Sequence, residues 1–412
     1  MSGHISGSLA DISALFFTTR RIASTAFSMN ISLTRKNVSF FLISTFISTS
    51  AIWYFFSRLS VHQIIEVFQN LSLQPLLAFF ILSLSGSLMR TWRYQKVLQL
   101  TGQRVHTLPL FLITLVRNFC ADLLPARLGT LVYIYLATQR LGATLSSASL
   151  SFLLALLLDL ISLVPLLMIF VALSLFNPLG GLSLLPALLI LAATLLPIAM
   201  ILWLHDLVAL LKRLIQCIAF GSEKIQSRLL PLLHALESDI LKIQSKRVLG
   251  ELFVYSLGIR LAKYGSLIVF LYALLYPLGY THRDVTISYA FFGIFLSEIA
   301  ASLPASGIGG FGLYEGTWAT VFRIVGLPGT IADVTAVSHH LFTQTYGYLL
   351  GITALIALLL MPGFDPSRES RPLLSFQYRV VLILILFSGA FSLTQNSNFA
   401  IGAHSPANRT SP

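Results

Sequence analysis

The stretch Ala148–Phe176, ASLSFLLALLLDLISLVPLLMIFVALSLF, decides the class of fold. It contains one charged residue, Asp159. It is also longer than the roughly 20 apolar residues that an α-helix needs to cross the hydrocarbon core of a bilayer. Soluble domains rarely contain an apolar run of this length, so the stretch predicts a helix that lies in a membrane.

The composition of the whole chain agrees with this interpretation. Of 412 residues, 56% are hydrophobic and 10% are charged, whereas about a quarter of the residues of an average soluble domain are charged. The excess of 27 Lys and Arg over 15 Asp and Glu gives a net charge of +12. In a membrane protein this excess is explained by basic loops that are retained in the cytoplasm. The sequence therefore predicts an all-α polytopic membrane protein that binds no nucleic acid.

Eight uncharged or nearly uncharged runs have lengths suited to transmembrane helices, although the last is short. They divide the chain into a cytoplasmic arm (1–37), a transmembrane domain (38–361) and a C-terminal region (362–412) with a linker, the last run and a disordered tail. The runs are Val38–Phe56, Pro75–Met89, Ala148–Phe176, Leu182–Leu204, Leu252–Tyr276, Val285–Leu303, Val334–Met361 and Val380–Leu393.

Basic residues orient these spans, because Lys and Arg in short loops stay on the cytoplasmic side. They place the N-terminus in the cytoplasm, together with the polar amphipathic segment 206–251. The side of the membrane reached after residue 304 stays open at this point. The arm 1–37 is rich in Ser and Thr and also suits an organellar transit peptide.

Two apolar segments are interrupted by Pro and Gly in corresponding halves of the chain. The first break lies in Leu108–Gly129 and the second in Phe291–Gly316, and both contain Leu-Pro-Ala followed by Gly. Irregular backbone at membrane depth leaves N–H and C=O groups unpaired unless protein or a wet cavity covers it. We therefore expect a cavity at the two breaks, as in transporters. The alternative is a pair of ordinary helix ends, since Pro and Gly are common in transmembrane helices.

Polar residues at the breaks are the candidate lipid-binding or substrate-binding residues, since ionisable groups within a bilayer are costly and usually mark a site. Arg127 suits a phosphate or carboxylate because its planar fork binds such groups bidentately; the alternative is an ion pair with Asp122. Glycines at the second break can leave N–H groups bare for an anion. The candidates are Arg117, Asn118, Asp122, Pro125, Arg127, Gly129, Glu298, Pro304, Gly307, Gly309, Gly310, Gly312 and Glu315.

The remaining polar residues within the apolar runs are interpreted as structural. Asp159 is expected to pair with Arg260 or Lys263. His339 and His340 are expected near a membrane interface, because adjacent histidines point to different helix faces and lack metal-ligand spacing. Arg90, Arg93 and the aromatic residues between and after them are typical of a headgroup boundary.

The chain contains no nucleotide-binding or nucleophile motif among those expected of pumps or hydrolases. It therefore predicts no enzyme, no catalytic residue, no metal and no cofactor. Glu298 and Glu315 are expected to bind a cationic headgroup or to exchange a proton, or else to neutralise a neighbouring Arg.

The motifs at the two breaks resemble those of the lysylphosphatidylglycerol synthase transmembrane family, also called flippase-like. The resemblance rests on Asn118–Gly129, which includes Leu-Pro-Ala-Arg-Leu-Gly, on Arg90 and Arg93, and on Pro-x4-Gly-Gly-x-Gly-x-x-Glu at Pro304–Glu315. It extends over about Val38–Met361 and implies a multi-pass protein of the bacterial or archaeal cytoplasmic membrane. In that family, broken or re-entrant helices line a cavity that accepts lipid.

The resemblance suggests a lipid translocase that moves an anionic, aminoacylated or polyprenyl-linked lipid between leaflets. Its phosphate would be held by Arg127 and by glycine N–H groups. Family members fused to an aminoacyltransferase domain also make aminoacylated phosphatidylglycerol, but this sequence contains no such domain. Two alternatives stay open: a non-catalytic membrane subunit that presents a membrane phospholipid or lipid-linked substrate to a partner glycosyltransferase or aminoacyltransferase, and an intramembrane transferase.

Overall fold

The computed structural model describes residues 49–50, 53–55, 57, 59–123, 129, 131–175, 198–199, 201–203, 206, 208–210, 213, 223–243, 245–303 and 308–361. All regular elements in this part of the chain are helical, which confirms the all-α class. They are α1 (Val61–Gln69), α2 (Leu73–Leu100), α3 (Thr107–Leu123), α4 (Val132–Leu141), α5 (Leu145–Ile161), α6 (Leu163–Leu175), α7 (Glu223–Ile243), α8 (Lys246–Leu275), α9 (Ile287–Ser302), α10 (Leu313–Ile324) and α11 (Gly329–Leu360), with 3₁₀ turns at Tyr276–Leu278 and Ile308–Gly310.

Four helices in the described part are long and apolar enough to cross a membrane. They are Leu73–Leu100, Leu145–Ile169, Arg247–Leu278 and Gly329–Leu360, and each contains most of a predicted span. The predicted span Val285–Leu303 forms α9, which is apolar but has only 16 residues. The other three predicted spans lie wholly or largely outside the described residues.

Several helices begin where the sequence supplies a capping hydroxyl. The side chains of Thr144, Ser245 and Thr286 accept hydrogen bonds from the backbone N–H three residues later, at the starts of α5, α8 and α9. Such caps satisfy one of the four N–H groups that a helix start leaves without a partner. The helix boundaries are therefore defined by local sequence, while the helix packing depends on long-range contacts.

Helices α2 and α8 form an antiparallel pair at the centre of the bundle. A Cβ on Gly86 of α2 would lie 3.3 Å from the Cβ of Ala262 in α8. One end of the pair is joined by an ion pair between Lys96 and Glu251, at 2.9 Å. Small residues allow the two backbones to approach closely, as is common between transmembrane helices.

The remaining helices pack against this pair on two sides. Helix α11 lies along α3, where Gly351 leaves room for Phe119. Helix α10 packs on both α9 and α11 around Trp318, which is fully buried. The loop that joins α8 to α9 is ordered by Asp284, which accepts hydrogen bonds from the backbone N–H and the hydroxyl of Thr281 at 2.7 and 2.9 Å. These hydrogen bonds hold the pKa of Asp284 below its ordinary value.

Described helices end and begin on either side of both predicted breaks. Helix α3 ends at Leu123 and α4 begins at Val132; α9 ends at Ser302 and α10 begins at Leu313. The predicted polar segment 206–251 is not one element, because α7 ends at Ile243 and α8 starts at Lys246. Pro125, Arg127, Pro304 and Gly307 lie outside the described residues.

Candidate functional site

A cavity of about 210 Å³ lies between α2, α3, α8 and α11. Its wall contains Lys263 of α8 and Tyr346 of α11, which are near the middle of two helices long enough to span a membrane. The site is therefore a polar space enclosed by largely apolar helices. The polar side chains in its wall are Ser83, Ser87, Arg90, Asn118, Asp122, Lys263, Ser266, Thr343 and Tyr346.

Two arginines meet at Asn118 on one side of this cavity. The guanidinium of Arg90 donates to the Asn118 side-chain oxygen at 2.6 Å, and that of Arg117 donates to the same oxygen at 3.1 Å. The Nε–H groups of both arginines are buried without a hydrogen-bond partner among the described residues. One neutral oxygen thus receives two cations that retain donor capacity, an arrangement suited to an anion.

Lys263 supplies a further cation to the cavity wall. Its ammonium lies 2.6 Å from a carboxylate oxygen of Glu298 in α9. Glu298, a predicted site residue, therefore reaches the cavity through Lys263 and neutralises it. Asp122, also predicted, lines the cavity itself. The predicted neutralisation of a cation by an acid is thus seen at Glu298, with Lys in place of Arg.

Arg93 lies in the interior of the bundle, which corrects its assignment to a headgroup boundary. It is 1% exposed, and its Nη1 donates to Asp159 at 2.5 Å and to Ser256 at 2.7 Å. The reason is that α2 continues past the basic and aromatic residues to Leu100 instead of ending there. Arg90, assigned to the same boundary, lines the cavity described above.

Asp159 joins Arg93 to Arg260, so its expected partners are only partly correct. The backbone oxygen of Asp159 accepts from Arg260 at 3.1 Å, and the two side chains are 3.9 Å apart. Lys263, the other expected partner, is paired with Glu298 instead. The main partner, Arg93, lies 66 positions away in sequence and was assigned elsewhere.

The glycines of the second break form a tight turn whose backbone is hydrogen-bonded by side chains of the protein itself. Gly309, Gly310 and Gly312 have φ of 64°, 82° and 106°, values that favour glycine. The N–H of Gly312 donates to Glu315 at 2.8 Å, and the carbonyl of Gly309 accepts from Gln344 at 3.1 Å. The sequence suggested that the N–H of Gly312 is free to bind an anion. In the structure a carboxylate of the chain, that of Glu315, already accepts from it.

Glu315 and the two histidines lie together behind this turn. Glu315 is 1% exposed and pairs with His340, while His339 is bonded to the hydroxyl of Tyr314 and to the carbonyl of Leu267. Both histidines, which the sequence placed near a membrane interface, are buried among the helices. The physical reason is that α10 and α8 cover both faces of this part of α11.

Gly129 marks a close approach of the chain to α3. A Cβ at this position would lie 1.8 Å from the carbonyl oxygen of Cys120. A side chain at this position would overlap the backbone of α3, so the packing requires glycine here. Of the predicted residues, Asn118 and Asp122 share the cavity with Arg90, and Arg117 and Glu298 contact its walls. Glu315 and the three described glycines of the second break, Gly309, Gly310 and Gly312, form a separate group that contacts α11.

Comparison with known proteins agrees with the motifs at the two breaks. A family model described as the lysylphosphatidylglycerol synthase TM region matches residues 41–351. This match includes both breaks and every described residue of the cavity wall. No curated protein matches the chain.

Proposed function

Since the chain belongs to the lysylphosphatidylglycerol synthase transmembrane family, we propose that it is a lipid translocase that moves an anionic, aminoacylated or polyprenyl-linked lipid between leaflets. In this proposal it catalyses no covalent step. It resides in a bacterial cytoplasmic membrane with its N-terminus in the cytoplasm. Membership supports a role in membrane lipid chemistry, and the cavity carries the rest of the proposal.

The observation that carries the proposal is the cationic wall of the cavity between α2, α3, α8 and α11. Arg90 and Lys263 line the same space, and Arg117 adjoins Arg90 at Asn118. A lipid phosphate is an anion with several acceptor oxygens, and guanidinium and ammonium groups are its usual partners. Arg90 and Lys263 take over the role that the sequence assigned to Arg127.

The rest of the lipid stays outside the cavity in this mechanism. A space of about 210 Å³ is below the usual size of a complete small-molecule pocket, roughly 300 to 1,000 Å³, so it accommodates a headgroup and not acyl chains. The chains remain in the bilayer while the polar group crosses between the helices. Asp122, which lines the same space, would contact the cationic part of an aminoacylated headgroup.

Leaflet exchange by the purified protein tests the proposal. The protein is reconstituted in vesicles with a fluorescent short-chain phosphatidylglycerol, and a membrane-impermeant reductant measures the probe that reaches the outer leaflet. We expect Arg90→Gln and Lys263→Gln each to slow exchange about tenfold or more, because a hydrogen bond to a charged group contributes roughly 1.5–3 kcal/mol. Arg104→Gln, which removes an exposed cation from the loop after α2, is the matched control and should exchange at the rate of the wild type.

Two outcomes would contradict the proposal. Equal exchange by Arg90→Gln, Lys263→Gln and the wild type would exclude this cavity as the path. Absence of exchange by the wild type, for phosphatidylglycerol, its aminoacylated form and a polyprenyl phosphate, would exclude translocation. In that case the chain would be better explained as a membrane subunit that presents lipid to a separate glycosyltransferase or aminoacyltransferase.

A further inference from the structure

Glu315 and His340 form a buried acid–base pair that the cavity does not use. Glu315 is 1% exposed and His340 is 3% exposed, and a Glu315 oxygen bonds the Nδ1 of His340. The imidazole lies between two aromatic rings, with centroids 4.7 Å from Phe311 and 4.2 Å from Tyr314. Aromatic neighbours on both sides and burial of both partners separate the pair from bulk water.

Gln344 determines where the proton of this pair lies. A carbonyl oxygen can only accept, so the Gln344 nitrogen must be the atom that faces Gly309, at 3.1 Å. The same nitrogen lies 3.0 Å from the Nε2 of His340. Because an amide nitrogen can only donate, Nε2 accepts and carries no hydrogen. The imidazole N–H is therefore on Nδ1 and points at Glu315.

With its single proton on Nδ1, the pair already has a hydrogen-bond partner for each of its polar atoms. The second carboxylate oxygen of Glu315 already accepts from Gly312 N–H at 2.8 Å. A second proton on that oxygen would weaken its hydrogen bond from the Gly312 N–H, because a hydroxyl oxygen is a poorer acceptor than a carboxylate oxygen. A second proton on the other carboxylate oxygen would weaken the bond from Nδ1 in the same way, and one on Nε2 would oppose the Gln344 N–H. Every position for a second proton thus weakens a contact that holds the turn or the pair.

The contacts that would weaken join the glycine turn to α11 and so lie close to the lipid cavity. The turn Ile308–Gly310 packs against α3, which carries Asn118 and Asp122 in the cavity wall. Thr343, next to Gln344 in sequence, lines the cavity and bonds the carbonyl of His340 at 3.1 Å. Release of the turn would therefore move groups in the cavity wall.

We propose that Glu315 and His340 bind a proton whose uptake releases the Gly309–Gly312 turn from α11, and that this proton is the coupling ion of lipid movement. The proposal rests on the translocase function for its second part. The proton enters from water on one side, occupies the carboxyl of Glu315, and leaves to water on the other side. No bond other than hydrogen bonds and the transferred N–H or O–H bond changes.

Other titratable and charged groups face the pair from each neighbouring helix. On α10, Tyr314 stacks on His340, and its hydroxyl bonds His339 of α11. On α9, Glu298 is paired with Lys263 of α8. On α11, the hydroxyl of Tyr348 lies beside Gly309. These groups are either neutral or paired, whereas the Glu315–His340 pair in its one-proton form carries a negative charge that a further proton would cancel.

Two measurements on the full-length protein test the proposal. The first is infrared difference spectroscopy between acidic and alkaline buffer, where a protonated carboxyl gives a C=O stretch distinct from that of a carboxylate. We expect a band that is absent in Glu315→Gln and present in Glu298→Gln. The second is leaflet exchange of fluorescent phosphatidylglycerol with and without an imposed pH gradient. We expect the gradient to change the wild-type rate severalfold, and we expect Glu315→Gln and His340→Gln to abolish this response.

The control is His339→Gln, which alters the adjacent buried histidine without touching the turn. It should keep the response to the gradient. If the Glu315 and His340 variants do not fold, Gln344→Leu, which removes only the tether, should reduce the response and shift the pH at which the infrared band appears.

A wild-type rate that ignores the gradient would overturn coupling while leaving translocation intact. An infrared band that persists in Glu315→Gln would place the proton elsewhere. Absence of exchange by the wild type would remove translocation, yet the infrared result would still decide whether the proton site exists.

Discussion

Arg93 forms a buried ion pair with Asp159 next to the α2–α8 contact. Its guanidinium is buried and bonded to Asp159, while its Nε and Nη2 have no partner among the described residues. Removing one member of a buried ion pair leaves an uncompensated charge, which costs roughly 3–5 kcal/mol. We expect Asp159→Leu to lower the free energy of unfolding in detergent by this amount.

The double variant Arg93→Met/Asp159→Leu is the matched control, because it removes both charges. It should recover part of the stability, since apolar replacement of a buried pair is often neutral, whereas Arg260, which also contacts Asp159, loses that carboxylate. If the double variant were less stable than Asp159→Leu alone, the pair would not act as an ion pair in the folded protein.

Gly351 is a residue whose role is purely steric. A Cβ there would lie 2.1 Å from the Cβ of Phe119, an atom fixed to the backbone of α3. We expect Gly351→Ala to force α3 and α11 apart and to cost about 1–3 kcal/mol, as overpacking does. Gly347→Ala, one turn earlier and with nothing within 4 Å of the added methyl, should be neutral or slightly stabilising.

Thermal unfolding of the two alanine variants in detergent would measure the difference. Equal midpoints would mean that α3 and α11 can separate without cost, and the close packing at Phe119 would then contribute nothing to stability.

The sequence identified some of the polar residues that line the cavity, but it did not identify the ion-pair partners of the buried charged residues. Asn118 and Asp122 were singled out because polar groups are costly in a bilayer, and they line the cavity. The partners of Arg93 and Glu315 were missed because they lie on helices distant in sequence, at Asp159 and His340. No local pattern identifies a contact between helices of this kind.

At the element scale, Asp239 connects the amphipathic helix α7 to the start of α5. It is buried and accepts hydrogen bonds from Ser146 and Ser147 at 2.9 and 3.1 Å, next to the positive end of the α5 dipole. Lys242 completes the contact at 2.9 Å. We expect Asp239→Ala to weaken this attachment and to increase amide hydrogen exchange throughout Glu223–Ile243.

Ser238→Ala is the matched control, since Ser238 is an exposed polar residue of the same helix, next to Asp239 in sequence. Exchange in α7 should then stay close to that of the wild type. Equal protection in both variants would show that apolar contacts alone, such as those of Leu233 and Ile240, hold the helix in place.

The elements were predicted to different degrees, for a physical reason. Apolar runs define α8 and α11 closely, because a membrane helix must be apolar over its length. The apolar run Pro75–Met89 predicted only the first part of α2. The second part of the helix, from Arg90 to Leu100, contains polar residues that are buried by protein, so it does not appear as an apolar run. Pro and Gly predicted the positions of the two breaks, but the sequence did not predict where the following helices, α4 and α10, begin and end.

At the scale of the whole molecule, the antiparallel packing of α2 and α8 makes a clear prediction about orientation. The exposed Arg104 follows α2, whereas the exposed Arg283 follows the other end of α8. The positive-inside rule places the first of these in the cytoplasm. In intact cells, we expect a membrane-impermeant maleimide to label Arg283→Cys and not Arg104→Cys.

Permeabilised cells provide the control, because both cysteines should then react. Labelling of Arg104→Cys alone in intact cells would invert the orientation, and equal labelling of both would contradict the assignment of α8 as a complete membrane crossing.

The shortness of α9 has a consequence for the bilayer around the protein. With 16 residues and a rise of 1.5 Å per residue, the helix is about 24 Å long, less than the roughly 30 Å of a typical hydrocarbon core. We expect the bilayer beside α9 to be locally thinned, because thinning is how a short apolar helix is accommodated. Such thinning next to the second break would shorten the distance that a headgroup has to travel. Bilayers of shorter-chain lipids should relieve this mismatch and change the rate of leaflet exchange accordingly.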